Sequence, residues 1–315
     1  MTKTILQYET KNELLERYEI EFKIKGLVAC KPDTFLTNEM KVYEKNLDDH
    51  SFSILVSSDG ETNDDAIDIA SQKLNMYLDF YNLFFDGALE IDDEGKPFSV
   101  AKVKGGNVIE ESFAIHLDVG PFFLITEDIK ETAIDVLTVL SKSQNSYLRV
   151  AADYNRRASL EQEGTNEFIH LFIALEALYA HDEERAEIQY KFANRIATLL
   201  GKDKDNRKSL RERARKLYGL RSKIVHGSAK FNAENIEDAV DWVKESILRF
   251  LILSDKHPDF KHKDIIKMIE DAMLENDLRE KLREESEDLV KTMEETKTKA
   301  KKEIDNAEKK ESEKN

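Results

Sequence analysis

The chain has 315 residues, of which 40% are hydrophobic and 36% are charged, and its formal net charge is −16. This length predicts about two domains, and the sequence lacks the apolar run of about 18 residues that a transmembrane helix needs. The negative total charge argues against nucleic-acid binding through the overall electrostatic field. The single cysteine, Cys30, excludes an intrachain disulfide, and the first residues contain no apolar segment of signal-peptide type. We therefore expect a cytoplasmic protein that does not associate with membranes.

Residues 1–125 have the pattern of an α+β domain, which could serve as a sensor or target-recognition module. Three stretches alternate apolar and polar residues, which predicts half-buried strands: YEIEFKIK (18–25), SFSILV (51–56) and SFAIHLDV (112–119). Turn-forming clusters separate such runs: SSDG (57–60), DDEGKP (92–97) and the hairpin signal KGGN (104–107). Between the strands, an apolar stripe predicts a long helix over residues 66–85, with Thr62 as its N-cap.

Residues 126–273 predict an all-α bundle, because the hydrophobic period becomes that of helices and remains so. The predicted helices occupy residues 126–143, 147–160, 166–180, 187–201, 209–226 and 235–254. Thr126 is the expected N-cap of the first, and Gly201 the expected C-terminal signal of the fourth. Residues 274–315 are highly charged, with an imperfect leucine stripe, and predict a solvated helix or coiled coil that ends in disorder.

A basic cluster interrupts this acidic sequence between Asn206 and Lys223. Eight basic residues and one acidic residue, Glu212, give this stretch a net charge of +7. Such a cluster is compatible with a polyanion ligand and equally with a solvated helix face. The eight basic residues are Arg207, Lys208, Arg211, Arg213, Arg215, Lys216, Arg221 and Lys223.

The cluster leads into the stretch KLYGLRSKIVHGSAK (216–230), which contains an unusually placed arginine. On a regular helix, Arg221 falls in the middle of an apolar face, where an unpaired guanidinium is costly. Ser222 and His226 neighbour each other but lie more than about 100° round the helix from Arg221. Gly227 predicts that the helix ends at His226, where the helix dipole favours protonated imidazole. Arg221 and His226 could therefore meet one ligand only if the helix distorts or if a second copy completes the site.

Purely structural roles are open for all of these residues: His226 could cap the helix, and Arg221 could form an ordinary ion pair. Glu176 lies within the apolar run LFIALEALYA and predicts a partly buried, paired carboxylate, with Arg195 as its expected partner. His257 and His262 lack a third ligand at suitable spacing, so we expect a loop there and no metal site.

The stretch LYGLRSKIVHG resembles the Arg-x4–6-His signature of the HEPN superfamily (higher eukaryotes and prokaryotes nucleotide-binding). EFIHLFIALEALY followed by FANRIATLLG resembles its Apea-like branch, so the resemblance covers roughly residues 140–255. Many members are dimeric, metal-independent endoribonucleases in toxin, antiphage or RNA-processing systems. The resemblance implies that Arg221 and His226 are catalytic and that Ser222 holds the supporting polar position, where active members more often carry Asn, Asp or His.

The resemblance implies cleavage of RNA by its own 2′-hydroxyl, leaving 2′,3′-cyclic phosphate and 5′-hydroxyl ends. His226 would transfer protons, and Arg221 would stabilise the phosphorane. Arg215, Lys216 and Lys223 would bind the RNA backbone, and neither a cofactor nor a metal is expected. The expected assembly is a homodimer through the helical domain, with room for a regulatory partner protein. Ser222 and the acidic total charge keep a second function open, a non-catalytic HEPN module that binds nucleotide, RNA or a partner protein.

Overall fold

The fold is described from a computed structural model and is mostly helical, with an antiparallel sheet. The structure describes residues 16–25, 40–46, 51–84, 90–91, 99–104, 107–113, 127–161, 163–180, 187–228, 236–295 and 298. They fall into two compact units. One contains the described residues up to Leu74 and those of Glu90–Phe123, and the other those of Asn75–Leu89 and from Leu124 onward. Within these described ranges, no helix combines the length and the apolar character needed to cross a membrane.

The sheet of the first unit is built around its first strand. The strands are β1 (Glu16–Lys25), β2 (Met40–Asn46), β3 (Ser51–Gly60), β4 (Glu90–Ile91), β5 (Ser99–Lys104) and β6 (Asn107–Phe113). Their order is β2-β3-β1-β5-β6, with β4 paired to the end of β1, and every pairing is antiparallel. Tyr18 and Ile20 of β1 and Ile54 and Val56 of β3 are buried, so the alternation that predicted these two strands is confirmed.

The turn predicted at residues 57–60 is wrong, because β3 continues through them to Gly60. Ser57–Gly60 pair with Glu16–Glu19 of β1, and Ser58 is fully buried while Asp59 is exposed. Pairing with a neighbouring strand therefore overrides the local turn preference. The KGGN hairpin is confirmed, since Lys104 of β5 pairs with Asn107 of β6. Cys30, DDEGKP, Thr126 and the part of SFAIHLDV beyond Phe113 lie outside the described residues.

Among the described residues, seven helices correspond to helices that the sequence predicted before residue 260, and the helix at His262–Leu274 was not predicted. The helices are α1 (Asn63–Phe84), α2 (Glu127–Ser141), α3 (Ser146–Leu160), α4 (Gly164–Tyr179), α5 (Ile188–Leu200), α6 (Lys204–Val225), α7 (Ile236–Lys256), α8 (His262–Leu274) and α9 (Asn276–Glu285). The Thr62 cap of α1 is confirmed, because its Oγ1 accepts a hydrogen bond from the Asp65 N–H at 3.2 Å. Gly201 is the C-cap of α5, as predicted.

Aromatic side chains fill the core of the helical unit, and a hydrogen bond joins the beginning of α8 to the end of α4. The rings of Tyr179, Phe192 and Phe250 are buried and pack edge to face, with centroids 5.3 to 6.1 Å apart. His262 is the first residue of α8 and no loop residue, since its Nε2 lies 2.7 Å from the carbonyl oxygen of Leu178 and its ring stacks on Tyr147.

The beginning of the predicted solvated tail packs against the bundle. α9 is followed by a helical stretch at residues 288–295, and Leu282, Val290 and Met293 of this region are buried. Arg249 of α7 donates a hydrogen bond from Nη1 to the hydroxyl of Ser286 at 3.0 Å. The predicted helix is therefore confirmed for residues 276–285 and 288–295, but the expectation that it is fully solvated is wrong there. The remainder of the tail lies outside the described residues apart from Thr298.

Candidate functional site

The candidate site lies on α6, which is a continuous α-helix of 22 residues. At its start, the Asp203 carboxylate accepts a hydrogen bond from the Asn206 N–H at 2.8 Å. At its end, the Gly227 N–H bonds the Ile224 carbonyl at 2.9 Å and the Ser228 N–H bonds the Lys223 carbonyl at 2.8 Å. These two bonds form a Schellman motif, and Gly227 has the positive φ of +69° that it requires. The prediction that Gly227 ends the helix after His226 is confirmed.

Arg221 lies in the apolar face of α6, as the helical spacing predicted. Leu210, Ala214 and Leu217 of the same face are buried, while the Arg221 side chain is 25% exposed. Its Nη2 donates a hydrogen bond to Glu176 Oε2 on α4 at 2.8 Å. Its Nε is buried and has no hydrogen-bond partner among the described residues. The guanidinium is therefore anchored at one nitrogen and keeps further donors for a ligand.

The Glu176 carboxylate accepts hydrogen bonds from two side chains of α6. Besides Arg221, the hydroxyl of Tyr218 hydrogen-bonds to it. Burial raises the pKa of the Glu176 carboxyl, and the positive charge of Arg221 and the Tyr218 hydrogen bond oppose this shift. Burial also raises the pKa of Tyr218, so its hydroxyl keeps its proton and donates a hydrogen bond to the carboxylate.

The expected pairing of Glu176 with Arg195 is wrong. Arg195 of α5 lies 2.5 Å from Glu270 of α8 through its Nη2, and its Nη1 donates to the carbonyl of Tyr179. It thereby ties the end of α4 to α8. The correct partner of Glu176 is Arg221, 45 residues further along the chain.

His226 and Ser222 lie away from Arg221. Because α6 stays helical to Val225, the five residue steps from Arg221 to His226 rotate the side-chain direction by about 140° around the helix axis. His226 is exposed, and its ring contacts no hydrogen-bonding group among the described residues. Ser222 is half-buried, and its carbonyl accepts the His226 N–H at 3.2 Å. The distortion that would bring Arg221 and His226 together within one chain is absent from this helix.

The three side chains predicted to bind RNA lie around one open groove with a volume of about 720 Å³. Arg215, Lys216 and Lys223 line it together with Glu212, Gly219 and Leu220 of α6 and Gln189 of α5. The Gln189 side chain donates from Nε2 to the Arg215 carbonyl at 2.7 Å and so joins the two helices at the groove. Gly219 has no side chain, and the Gln189 Nε2 would lie 3.4 Å from a Cβ at this position.

Most of the basic cluster has no acidic partner among the residues that the structure describes. Arg213 pairs with Asp238 at 3.1 Å and lies over the Trp242 ring, and Arg221 pairs with Glu176. The other six basic residues of the cluster form no ion pair with a carboxylate in the described part of the chain. They are Arg207, Lys208, Arg211, Arg215, Lys216 and Lys223. Their uncompensated charge is what a polyanion would neutralise.

The sequence did not indicate that Tyr218 and Gln189 belong to this region. Tyr218 is three residues before Arg221 and could have been placed beside it by the i, i+3 spacing of a helix. Gln189 offered no comparable signal, because its contact depends on how α5 packs against α6.

Among the described residues, no group of three or more His, Cys, Asp or Glu side chains could hold a metal ion.

In comparisons with known proteins, no family model matches the chain, and neither a curated protein nor a solved structure matches it significantly.

Proposed function

We propose that this protein is a metal-independent endoribonuclease of HEPN type that works in the cytoplasm, in a prokaryotic defence or toxin system. The observation that carries the proposal is the surface of α6. Six basic side chains without carboxylate partners in the described structure lie on this helix, and an exposed histidine ends it. A strand of phosphates along these side chains would reach His226.

The chemistry needs few groups because RNA carries its own nucleophile. His226, at the negative end of the α6 dipole, takes the proton of the attacking ribose 2′-hydroxyl or donates a proton to the leaving 5′-oxygen. Arg221 stabilises the negative charge that develops on the phosphorane, and its anchored guanidinium needs little reorganisation to do so. Ser222 supplies a supporting hydrogen bond, and Arg215, Lys216 and Lys223 hold the RNA backbone.

The complete site requires two copies of the chain. Arg221 and His226 diverge on a helix without distortion, so the Arg221 of one copy acts with the His226 of its partner across a two-fold axis. Val225 supports this arrangement, because it is an apolar side chain 51% exposed directly beside His226. An interface at this end of α6 would cover Val225 and bring the two motifs together.

A second function is favoured by the ion pair that Arg221 already forms within the chain. Its ion pair with Glu176 already satisfies the charge that a scissile phosphate would neutralise. In this alternative the protein is a non-catalytic HEPN module that binds nucleotide, RNA or a partner protein through the same basic surface.

Cleavage of RNA by the purified full chain decides between the two. Total cellular RNA is incubated with the wild type, with and without EDTA, and with Arg221→Ala and His226→Ala. Matched controls are Arg213→Ala, on the same helix, and His257→Ala, which also follows the end of a helix. We expect cleavage that survives EDTA, leaves 2′,3′-cyclic phosphate ends and is lost in the two site variants alone.

Two results would refute the nuclease. One is intact RNA in every reaction, and the other is equal loss of cleavage in site and control variants. Circular dichroism of each variant checks that its helices are retained, since a collapsed fold would instead assign Arg221 or His226 a structural role.

A further inference from the structure

Arg207 and Arg283 contact the turn between α5 and α6, at the opposite end of α6 from His226, and Arg279 lies one helical turn from Arg283. The Arg207 Nε donates to the Asp203 carbonyl at 3.3 Å, and the Arg283 Nη1 of α9 donates to the Lys202 carbonyl at 2.7 Å. Arg279, one turn earlier on α9, donates to the Asn276 side-chain oxygen at 2.8 Å. All three are half-buried, and all three of these acceptors are neutral oxygens.

The acidic groups nearby are already engaged. The Asp203 carboxylate caps α6, and Glu287 lies 3.6 Å from Arg283 but 2.8 Å from Lys291. Burial and the positive charge of Arg279 lower the pKa of the Arg207 guanidinium, Asp203 opposes this, and Arg283 adds to it. The like charges therefore influence one another without full compensation, which favours an anion among them.

The local chain is shaped to hold these side chains. Gly201, the C-cap of α5, has no room for a Cβ, because the Arg207 stem and the Ala197 carbonyl occupy that space. α9 reaches the turn because Leu282 is buried in the bundle and Ser286 is bound by Arg249. The arginines are thus positioned by packed helices rather than by a mobile loop.

A row of basic side chains joins this turn to the groove. Residues four apart form a ridge along a helix, and one such ridge of α6 contains Arg207, Arg211, Arg215, Gly219 and Lys223. Arg215, Gly219 and Lys223 of this ridge line the groove described above. From Arg207 to His226 the helix rises by roughly 28 Å, at about 1.5 Å per residue.

We propose that Arg207, Arg279 and Arg283 bind a backbone phosphate of RNA and hold the strand at the end of α6 remote from His226. This inference rests on the proposed function only in taking RNA as the ligand, and it does not depend on cleavage. A stacked strand that rises about 3.4 Å per nucleotide needs roughly eight nucleotides to cover the distance. The three arginines therefore make the protein select for length: long RNA reaches them, and very short RNA bound near His226 does not.

The test measures binding of labelled RNAs of four and twelve nucleotides to the full chain by fluorescence anisotropy over a series of salt concentrations. All proteins carry His226→Ala, so that the RNA stays intact. Arg279→Ala is the informative variant, because Arg279 has no side-chain hydrogen bond outside its own helix in the described structure, and Arg279→Lys restores the charge. Arg149→Ala, an exposed arginine on α3, is the matched control.

We expect Arg279→Ala to reduce the slope of log K against log salt for the twelve-nucleotide RNA by about 0.7, the value of one single-strand phosphate contact. The four-nucleotide RNA, Arg279→Lys and Arg149→Ala should show slopes that do not change. Circular dichroism confirms that each variant keeps its helices.

Several results would overturn the proposal. An unchanged slope for twelve nucleotides would do so, and so would an equal change for four nucleotides or for Arg149→Ala. A further outcome is that inorganic phosphate at low concentration displaces the RNA from the protein that retains Arg279, but not from the Arg279→Ala variant. This result would assign the site to a free anion instead. The nuclease is judged separately: binding as expected without cleavage refutes the nuclease alone, and cleavage with an unchanged slope refutes the phosphate site alone.

Discussion

Replacing Arg221 and Glu176 by glutamine, singly and together, measures what their ion pair contributes to folding. The joined atoms are 2.8 Å apart, and the two side chains are 25% and 22% exposed, so solvent screens the pair only in part. Hydrogen bonds to charged groups contribute about 1.5–3 kcal/mol. We expect a coupling free energy near the lower end of this range, about 1.5–2 kcal/mol, because neither side chain is fully buried.

A second cycle on the same helix provides the control. Arg213 and Asp238 are 3.1 Å apart, but their side chains are 45% and 36% exposed. Exposed ion pairs contribute about 0.2–1 kcal/mol, so this cycle should give the smaller coupling. Both cycles are measured by urea denaturation of the full chain, followed by far-ultraviolet circular dichroism.

The comparison separates burial from mere proximity. Equal couplings in the two cycles, or a value under about 0.5 kcal/mol for Arg221 with Glu176, would show that solvent reaches this pair freely. The assignment of Glu176 as the anchor of Arg221 would then fail.

Three further predictions concern stability and assembly. Leu282→Ala should lower the free energy of unfolding by about 2–4 kcal/mol, because the Leu282 side chain is buried. The control Leu274→Ala, at a side chain that is 86% exposed, should change it by less than about 0.5 kcal/mol. Equal urea midpoints for the two variants would contradict this prediction. Burial raises the pKa of Asp79 from 3.8 to about 6, so its contribution to stability is full below about pH 4 and lost as the pH rises through 6. The free energy of unfolding of the wild type should therefore fall by roughly 3 kcal/mol between about pH 4 and pH 6, and Asp79→Asn should remove this fall. Curves of unfolding free energy against pH that run parallel for the two proteins would refute the prediction. Light scattering should find a dimer that Val225→Glu dissociates and Val150→Glu, at a 42% exposed site on α3, does not; a wild-type monomer would disprove the composite site.

The elements that the sequence predicted well are those specified by local pattern. The end of α6 is an example, because Gly227 alone determines the left-handed residue that the Schellman motif requires. Strand β3 is a counterexample. Its last four residues, SSDG, favour a turn locally, and only pairing with β1, which lies about 40 residues earlier, makes them extended.

The candidate site was predictable in position but not in its contacts. The spacing on α6 placed Arg221 in the apolar face, and the structure agrees. Whether Glu176 of α4 meets Arg195 or Arg221 depends on how three helices pack, which no single periodicity specifies. The same limit applies to α9, where buried Leu282 and exposed Leu278 belong to one leucine stripe and differ only in what lies opposite them.

The central place of β1 in the sheet has a consequence for synthesis of the chain. β1 pairs with β3 on one side, but its partner on the other side, β5, ends only at Lys104, 44 residues after β3 ends at Gly60. At about 5–20 residues per second, the ribosome needs roughly 2–9 s to make that partner once β3 is complete. During this interval one edge of the nascent β1–β3 ribbon is open to strands of other chains. N-terminal fragments that stop before β5 should therefore aggregate where the full chain does not.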